Sequence, residues 1–156
     1  MNQDFAIYET KLGYLKISYT QKAITGIERS FKPILNFGKS SDLSDKAISE
    51  INEYINGERK NFSIPFILEG TEFQKKVWNQ LIKIPYGTTK TYKQIAELIS
   101  NPKACRAVGN ANNKNPIAIV VPCHRVIRTN GKLVGYAGGL DMKEKLLEIE
   151  KEYSKK

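Results

Sequence analysis

Cys123 and the only histidine of the 156-residue chain, His124, are adjacent at the end of an apolar segment. Residues 117–121 read Ile-Ala-Ile-Val-Val, and Arg125 follows the pair. The thiolate is the reactive form of cysteine, and a nearby base or cation favours it. The sequence therefore predicts either a nucleophilic thiol at Cys123 or, as the simpler alternative, a buried structural cysteine.

The apolar segment 117–121 has the length and composition of a buried strand. Consecutive side chains on a strand point to opposite faces. If the strand continues through the pair, contact between Cys123 and His124 requires a bend or a bridging water. A Cys-His pair alone is a weak indication of catalysis, so the flanking residues must decide between the two interpretations.

Two short helices joined by a turn are predicted upstream of this segment. Thr91 and Gln94 have the spacing of a capping box at the start of the first helix. Asn101 is expected to cap the second helix, roughly residues 102–112, with Pro102 at its first position. In a helix-turn-helix the second helix enters a DNA groove. This helix is rich in small residues, which either permit a close approach to DNA or simply pack closely against another helix: Ala104, Cys105, Ala107, Val108, Gly109 and Ala111.

Positive charge is concentrated in the same part of the chain. The net charge is +9 at pH 7, yet residues 1–70 contain nine basic and nine acidic side chains. Residues 73–132 contain 11 basic side chains and a single acidic one, Glu97. A basic surface on a folded protein is typical of proteins that bind nucleic acid, although it can also serve solubility alone.

The remaining patterns predict an α+β fold with two parts. Residues 5–8, 14–19 and 23–27 favour strands of a meander, and the apolar spacing in 44–55 favours a helix. We expect an N-terminal α/β lobe over residues 1–67 and a mainly helical C-terminal domain over residues 68–156. Thr71 is predicted to cap the first helix of that domain.

Composition excludes several classes of protein. Two cysteines and one histidine cannot build a disulfide framework or supply four zinc ligands. No apolar run approaches the roughly 18 residues of a membrane span. The N-terminal residues, Met1-Asn2-Gln3-Asp4-Phe5, lack the basic and apolar regions of a signal peptide. We expect a soluble protein of a reducing compartment, cytoplasmic or, in a eukaryote, nuclear.

The segment from Asn115 to Ile127, Asn-Pro-Ile-Ala-Ile-Val-Val-Pro-Cys-His-Arg-Val-Ile, resembles the active-site signature of the O6-alkylguanine-DNA alkyltransferases. The similarity extends to Gly-Thr-Thr-Lys-Thr-Tyr at 87–92 and Arg-Ala-Val-Gly at 106–109. It continues through Gly-Tyr-Ala-Gly-Gly-Leu at 135–140 and through 143–150. The similarity is close over residues 66–150 and loose in the N-terminal lobe.

The resemblance implies a fold and a reaction. The implied fold combines a ribonuclease H-like antiparallel sheet and helix with a winged-helix-like domain that contains the helix-turn-helix. The family transfers an alkyl group, such as methyl, from the O6 atom of guanine in DNA to its own cysteine, and O4-alkylthymine is a candidate second substrate. The thioether is stable, so each molecule acts once. The implied partner is double-stranded DNA containing O6-alkylguanine, bound by a monomer with no cofactor, metal, membrane or required protein partner.

Five residues match the family's catalytic positions. Cys123 matches the alkyl acceptor, and His124 matches the base that acts on it through a water. Glu150 matches the carboxylate that orients the histidine. Asn115 matches a residue that steadies the turn before the cysteine, and Tyr92 matches the phenol that hydrogen-bonds to guanine N3.

Other positions match the family's DNA and base contacts. Arg106 matches the arginine finger that takes the place of the flipped base. Ala137 stands where some relatives carry serine, which leaves a backbone N–H as the donor to O6. Further DNA contacts are expected from Lys103, Ala107, Gly109 and Arg125. The expected base pocket comprises Val126, Tyr136, Ala137, Gly138 and Lys143.

Three further expectations concern the second cysteine, the last helix and the alternative functions. Cys105 is expected to be a small packing residue. The last helix is expected to begin near Asp141, with Glu144 in capping-box spacing. The alternatives are a module that recognises lesions without repairing them, which the presence of Cys123 disfavours, and a cysteine hydrolase, which leaves the basic charge unexplained.

Overall fold

The computed structural model describes residues 4–133 and 135–155, which form two compact units. The first unit comprises the described residues up to Glu69 together with Pro116–Val120. The second comprises Gly70–Asn115 and the described residues from Val121 onward. The boundary lies close to the expected position at 67/68, but the segment 116–120, which was expected in the second part of the chain, belongs to the first unit.

The first unit is a three-stranded antiparallel sheet with one helix. Strands β1 (Asp4–Thr10), β2 (Gly13–Tyr19) and β3 (Ile24–Arg29) lie in that order, and helix α1 (Asp42–Ile55) contacts all three. Alternate residues such as Leu15, Ile17 and Ile27 are buried, because side chains on one face of a strand repeat every second position. Helix α1 begins two residues before the predicted start, since Ser41 caps it and Ser44 completes the capping box.

The apolar segment 117–121 is not the predicted strand. Ile117 forms one bridge to Ile27, after which the Val120 N–H donates to the Ala118 carbonyl at 2.8 Å. Ile119 has a φ of 73°, a left-handed conformation that β-branched residues rarely adopt. The segment is buried at Ile117, Ile119 and Val121, so its apolar character reflects burial of a turn rather than of a ladder.

The second unit is mainly helical. It contains α2 (Glu72–Ile82), β4 (Lys90–Thr91), α3 (Tyr92–Leu98), α4 (Cys105–Asn113), a short 3-10 helix (Cys123–Arg125), β5 (Val126–Ile127) and α5 (Leu140–Tyr153). Strands β4 and β5 pair in parallel. Helix α2 packs on α4, where the indole N–H of Trp78 donates to the Ala111 carbonyl at 2.8 Å.

In the second unit, the predicted starts of α2, α3 and α5 are confirmed, and that of α4 is wrong. Thr71 and Thr91 cap α2 and α3, each with a complete capping box. Helix α4 begins at Cys105 and not at 102, and no side chain caps it, because the residues from Asn101 to Ala104 form a turn. Helix α5 begins at Leu140, one residue from the expected start, but Gly139 is its N-cap and no capping box forms there.

Helices α3 and α4 pack together as a pair joined by residues 99–104. This arrangement confirms the predicted pair of short helices. None of the helices in the described part of the chain has the length and apolarity needed to cross a membrane.

Candidate active site

Cys123 begins a single 3-10 turn and not a strand. The Cys123 N–H donates to the Val121 carbonyl at 2.8 Å, and the Arg125 N–H donates to the Pro122 carbonyl at 3.0 Å. A 3-10 turn does not place consecutive side chains on opposite faces as a strand does. The geometric objection to cooperation between Cys123 and His124 therefore disappears. Cys123 is 6% exposed and His124 is fully buried.

Glu150 of α5 joins the two residues that follow the cysteine. Its Oε2 lies 2.6 Å from the imidazole Nε2 of His124. The Arg125 guanidinium donates from Nε to Oε1 at 2.8 Å and from Nη2 to Oε2 at 2.9 Å. The N–H of Gly87 also donates to Oε1, at 3.1 Å. The carboxylate is 1% exposed and is held by several donors at once, which gives the imidazole a fixed orientation.

The expected DNA contact of Arg125 is corrected by this arrangement. Its side chain is 8% exposed, and its Nη1 donates to the Ile84 carbonyl at 2.7 Å. Its other guanidinium nitrogens are bonded to Glu150. A phosphate contact would require breaking a buried ion pair, so Arg125 supports the carboxylate from inside the unit.

The protonation states in this cluster follow from burial and charge. Burial alone would raise the pKa of Glu150, but the hydrogen bonds of His124 and Arg125 and the charge of Arg125 outweigh it and hold that pKa well below its usual value. Burial lowers the pKa of His124, despite the opposing effect of Glu150. The imidazole is therefore neutral near pH 7 and can accept a proton.

Two asparagines and a lysine surround Cys123, and Asn115 and Lys143 act on its thiol. The Asn115 amide donates to the Val121 carbonyl at 2.8 Å, and the Asn112 amide donates to the Cys123 carbonyl at 3.3 Å. Burial raises the pKa of the Cys123 thiol, while hydrogen bonding by Asn115 and the charge of Lys143 lower it. The resting group is a thiol, and its reaction requires a base.

Lys143 is fully buried on α5. Its Nζ donates to the Val126 carbonyl at 2.7 Å and lies 5.8 Å from the centroid of the Tyr92 ring. Burial lowers the pKa of Lys143 to about 8, and the nearby Cys123 opposes this shift. The ammonium is thus a charge that can stabilise a thiolate yet is easily lost at alkaline pH.

Tyr92 lies where α3 begins and lines a cavity of about 580 Å³. A Cβ at Gly109 would lie 3.8 Å from the ring, and a Cβ at Gly135 would lie 3.6 Å from the hydroxyl, so two glycines border this side chain. Burial and the charge of Cys123 raise the pKa of the phenol, which keeps it a hydrogen-bond donor. The cavity is also lined by Lys93, Cys105, Arg106, Asn110, Asn113, Arg128 and Thr129.

The exposed face of α4 presents the expected DNA contacts. Arg106 and Ala107 are exposed, Lys103 is exposed in the preceding turn, and Gly109 is half-buried. Arg128, a basic residue that follows the reactive turn in the sequence, is exposed and also lines the cavity.

The remaining residues of the expected base pocket lie after the reactive turn. Val126 is buried in β5, and Tyr136 is buried, whereas Ala137 is exposed. A Cβ at Gly138 would lie 2.7 Å from the Tyr136 ring, so only glycine fits there without displacing the ring. Val134, also in this stretch of chain, lies outside the described residues.

Both cysteines are free thiols. Cys105 is half-buried at the start of α4 and lines the cavity beside Arg106, and its packing role stays a prediction. Among residues 4–133 and 135–155, no three His, Cys, Asp or Glu side chains are grouped to hold a metal ion.

Known proteins are similar to this chain in sequence and in fold. The family model described as the DNA-binding domain of 6-O-methylguanine DNA methyltransferase matches residues 72–152. The methylated-DNA–protein-cysteine methyltransferase of Methanosarcina acetivorans is 46% identical over 151 residues, which are 94% of this chain and 97% of that protein. The protein of the same name from Mycobacterium leprae is 55% identical over 106 residues, covering 68% and 64% of the two chains.

Solved structures extend the similarity over both units. The crystal structure of the Mycobacterium tuberculosis O6-methylguanine methyltransferase has a TM-score of 0.89 and 38% identity, and the match covers 97% of this chain and 94% of that one. A structure of the M. tuberculosis protein in complex with DNA has a TM-score of 0.88 and 39% identity over 96% and 93%. The mixed α/β fold is thus confirmed, and the chain belongs to the methylated-DNA–protein-cysteine methyltransferase family and is an enzyme of that class.

Proposed function

We propose that this protein repairs DNA by transferring an alkyl group, such as methyl, from O6 of guanine in duplex DNA to the Sγ atom of Cys123. The observation that carries the proposal is the environment of that thiol. Within one unit, Cys123 is buried beside Lys143 and Asn115 and is followed by an imidazole that is already bonded to a carboxylate. A purely structural cysteine requires none of these neighbours.

The reaction begins with removal of the thiol proton. His124, neutral and oriented by Glu150, takes the proton from Cys123 through a bridging water. The Lys143 ammonium stabilises the thiolate that results. Attack of Sγ on the alkyl carbon forms the S–C bond as the C–O6 bond breaks.

The electron pair of the broken bond passes to guanine. The Tyr92 hydroxyl donates a hydrogen bond to guanine N3, which stabilises the negative charge as it develops. A proton returned to the base restores guanine, so the net change moves the alkyl group to sulfur and the thiol proton to the base. The thioether cannot be hydrolysed readily, so each molecule turns over once.

DNA is bound by the face that carries α4. The helix enters the groove, where Ala107 and Gly109 permit close approach and Lys103 contacts the backbone. Arg106 occupies the space left by the flipped nucleotide, whose base enters the pocket formed by Val126, Lys143 and the segment from Tyr136 to Gly138. The M. tuberculosis relative crystallised with DNA supports this choice of partner.

Several finer assignments complete the proposal. The first unit is ribonuclease H-like and the second winged-helix-like, and the second unit, which lies within residues 68–156, is the DNA-binding and acceptor domain. The protein acts as a monomer in the cytoplasm, or in the nucleus of a eukaryote, without a cofactor or a protein partner. O4-alkylthymine is a second substrate.

A mass measurement tests the central step. The protein is incubated with duplex DNA that contains one O6-methylguanine, and the peptide that carries Cys123 is analysed by mass spectrometry. We expect one added methyl group on that peptide and the loss of one methyl group from the DNA. Cys123→Ala is expected to bind the duplex and transfer nothing. Tight binding by the unaltered protein with an unmodified peptide would instead indicate a lesion-recognition module.

A further inference from the structure

Asn112 is a buried polar residue to which the proposed reaction assigns no role. It lies on α4, is 1% exposed, and its Nδ2 donates to the Cys123 carbonyl at 3.3 Å. Its Oδ1 has no hydrogen-bond partner among the described residues. An unsatisfied buried acceptor costs free energy of folding. Stability alone would therefore favour an apolar side chain at this position.

The same side chain reaches the phenol of Tyr92. Gly109 and Asn112 are three residues apart on α4 and so share a face of the helix. The Tyr92 ring lies against that face, since a Cβ at Gly109 would be 3.8 Å from it. Burial raises the pKa of Tyr92, and hydrogen bonding by the Asn112 side chain lowers it. An amide that lowers the pKa of a phenol donates its N–H to the phenol oxygen.

We propose that Asn112 is the positioning residue that couples the alkyl acceptor to the guanine N3 donor. Its amide is bonded to the Cys123 backbone and donates to the Tyr92 hydroxyl, so the two groups are held at a fixed separation. An oxygen that accepts a hydrogen bond becomes a stronger donor through its own O–H. Asn112 therefore strengthens the bond that Tyr92 donates to the leaving guanine. This inference rests on the proposed alkyl transfer.

The chemistry requires the effect to depend on guanine N3. Tyr92 can stabilise the leaving group only if the base has an acceptor at that position. O6-methyl-3-deazaguanine carries C–H in place of N3 and offers no acceptor. A residue that acts through Tyr92 must therefore affect transfer from O6-methylguanine and leave transfer from the deaza base nearly unchanged.

The test measures single-turnover transfer from two duplexes that differ only at this atom. Asn112→Leu, which keeps the branched shape and removes the donor, is expected to slow transfer from O6-methylguanine about 10-fold, less than the roughly 100-fold loss typical when a direct donor is removed. Transfer from the deaza duplex is expected to change less than about 2-fold on the same grounds. Equal slowing with both duplexes would overturn the proposal, because a merely structural residue does not distinguish them.

Two further variants separate the possible failures. Asn112→Asp keeps the shape but replaces the amide donor with an acceptor, so it should show the same dependence on N3. A wild-type rate in this variant would contradict the donor role, and it also provides a second measurement if the leucine variant folds poorly. Tyr92→Phe is the reference. If it discriminates between the duplexes and the Asn112 variants do not, only the Asn112 inference fails. If the unaltered protein transfers nothing, the proposed function fails first.

Discussion

Glu150 in the last helix contacts His124 in the reactive turn, and the distance from Oε2 to Nε2 is 2.6 Å. They are 26 residues apart in sequence, and both side chains are buried. The contact holds the imidazole in one orientation and keeps the carboxylate charged. Arg125 donates to both oxygens of the same carboxylate, so two consecutive residues of the turn, the proposed base and its neighbour, share one buried partner.

Replacement of Arg125 separates its buried role from the DNA contact that the sequence predicted. Arg125→Met removes the donors of a buried carboxylate, which we expect to lower the free energy of unfolding by about 3–5 kcal/mol. The affinity of the folded protein for duplex DNA should be unchanged, measured by titration at several salt concentrations. The exposed Lys103→Ala is the matched control: its stability should change by less than about 0.5 kcal/mol, while its salt slope falls by about 1. A reduced salt slope in Arg125→Met would contradict this assignment.

Acid should destabilise the protein through Glu150. Its pKa in the folded state lies well below the ordinary value of 4.5, so the unfolded chain binds an additional proton below that pH. The stabilisation is present above the ordinary pKa and is lost as the pH falls between about 5 and 2. The lowered pKa of His124 acts in the same direction below its ordinary value of 6.5. Urea unfolding at several pH values measures the slope.

Glu150→Gln removes the carboxylate from this titration. We expect a lower stability near neutral pH and a flatter dependence below pH 5, because the unfolded chain no longer gains a proton at this position. Glu148→Gln, an exposed change two residues away on the same helix, should behave as the unaltered protein. Parallel curves for the Glu150→Gln and unaltered proteins would show that this carboxylate does not control the acid transition.

The charge of Lys143 should determine how the rate of methyl transfer depends on pH above neutrality. The pKa of Lys143 is lowered to about 8, so the thiolate loses its neighbouring cation as the pH rises through that value. Lys143→Met is expected to slow methyl transfer about tenfold near neutral pH, which corresponds to one unit in the pKa of Cys123. The change in the transfer rate near pH 8 should be absent in Lys143→Met, whereas the control variant Lys145→Met, at an exposed position, should retain it. Persistence of that change in Lys143→Met would assign it to another group.

Gly109 gives a test in which stability and affinity change in opposite directions. A Cβ at this position meets only the Tyr92 ring, at an ordinary 3.8 Å. Gly109→Ala should stabilise the free protein by about 0.5–1 kcal/mol, because alanine favours the helix. It should weaken DNA binding by about 1–3 kcal/mol, the usual cost of one spoiled contact. Calorimetry and duplex titration measure the two effects, and unaltered affinity would place the DNA elsewhere.

Arg106 is expected to assist base flipping in duplex DNA and to have no effect on the alkyl-transfer step itself. Arg106→Ala should slow transfer from O6-methylguanine in duplex DNA about 10-fold or more, since flipping a base costs a few kcal/mol. Transfer from the free modified base, which needs no flipping, should be unchanged. Equal losses with both substrates would show that Arg106 acts on the reaction itself and not on the extruded state of the DNA.

Local patterns in the sequence were sufficient to predict much of the second unit. Thr91 and Gln94 form the predicted capping box because both partners lie within one helical turn. The Cys-His-Arg motif with its flanks, together with the basic stretch, was sufficient for the family and the reaction. These features depend on neighbouring residues or on total charge, which a sequence states directly.

Tertiary structure decided the features in which distant segments meet. The apolar run 117–121 predicts a strand, but Ile119 adopts a left-handed conformation and the chain turns, which brings Cys123 and His124 into one 3-10 helix. Arg125 has the positive charge typical of a DNA contact, yet its guanidinium donates to the carboxylate of Glu150 in the last helix. Sequence alone determined which reactive groups this protein carries. Only the packing of α5 against the reactive turn decided their partners, since burial and charge pairing depend on residues far away in the chain.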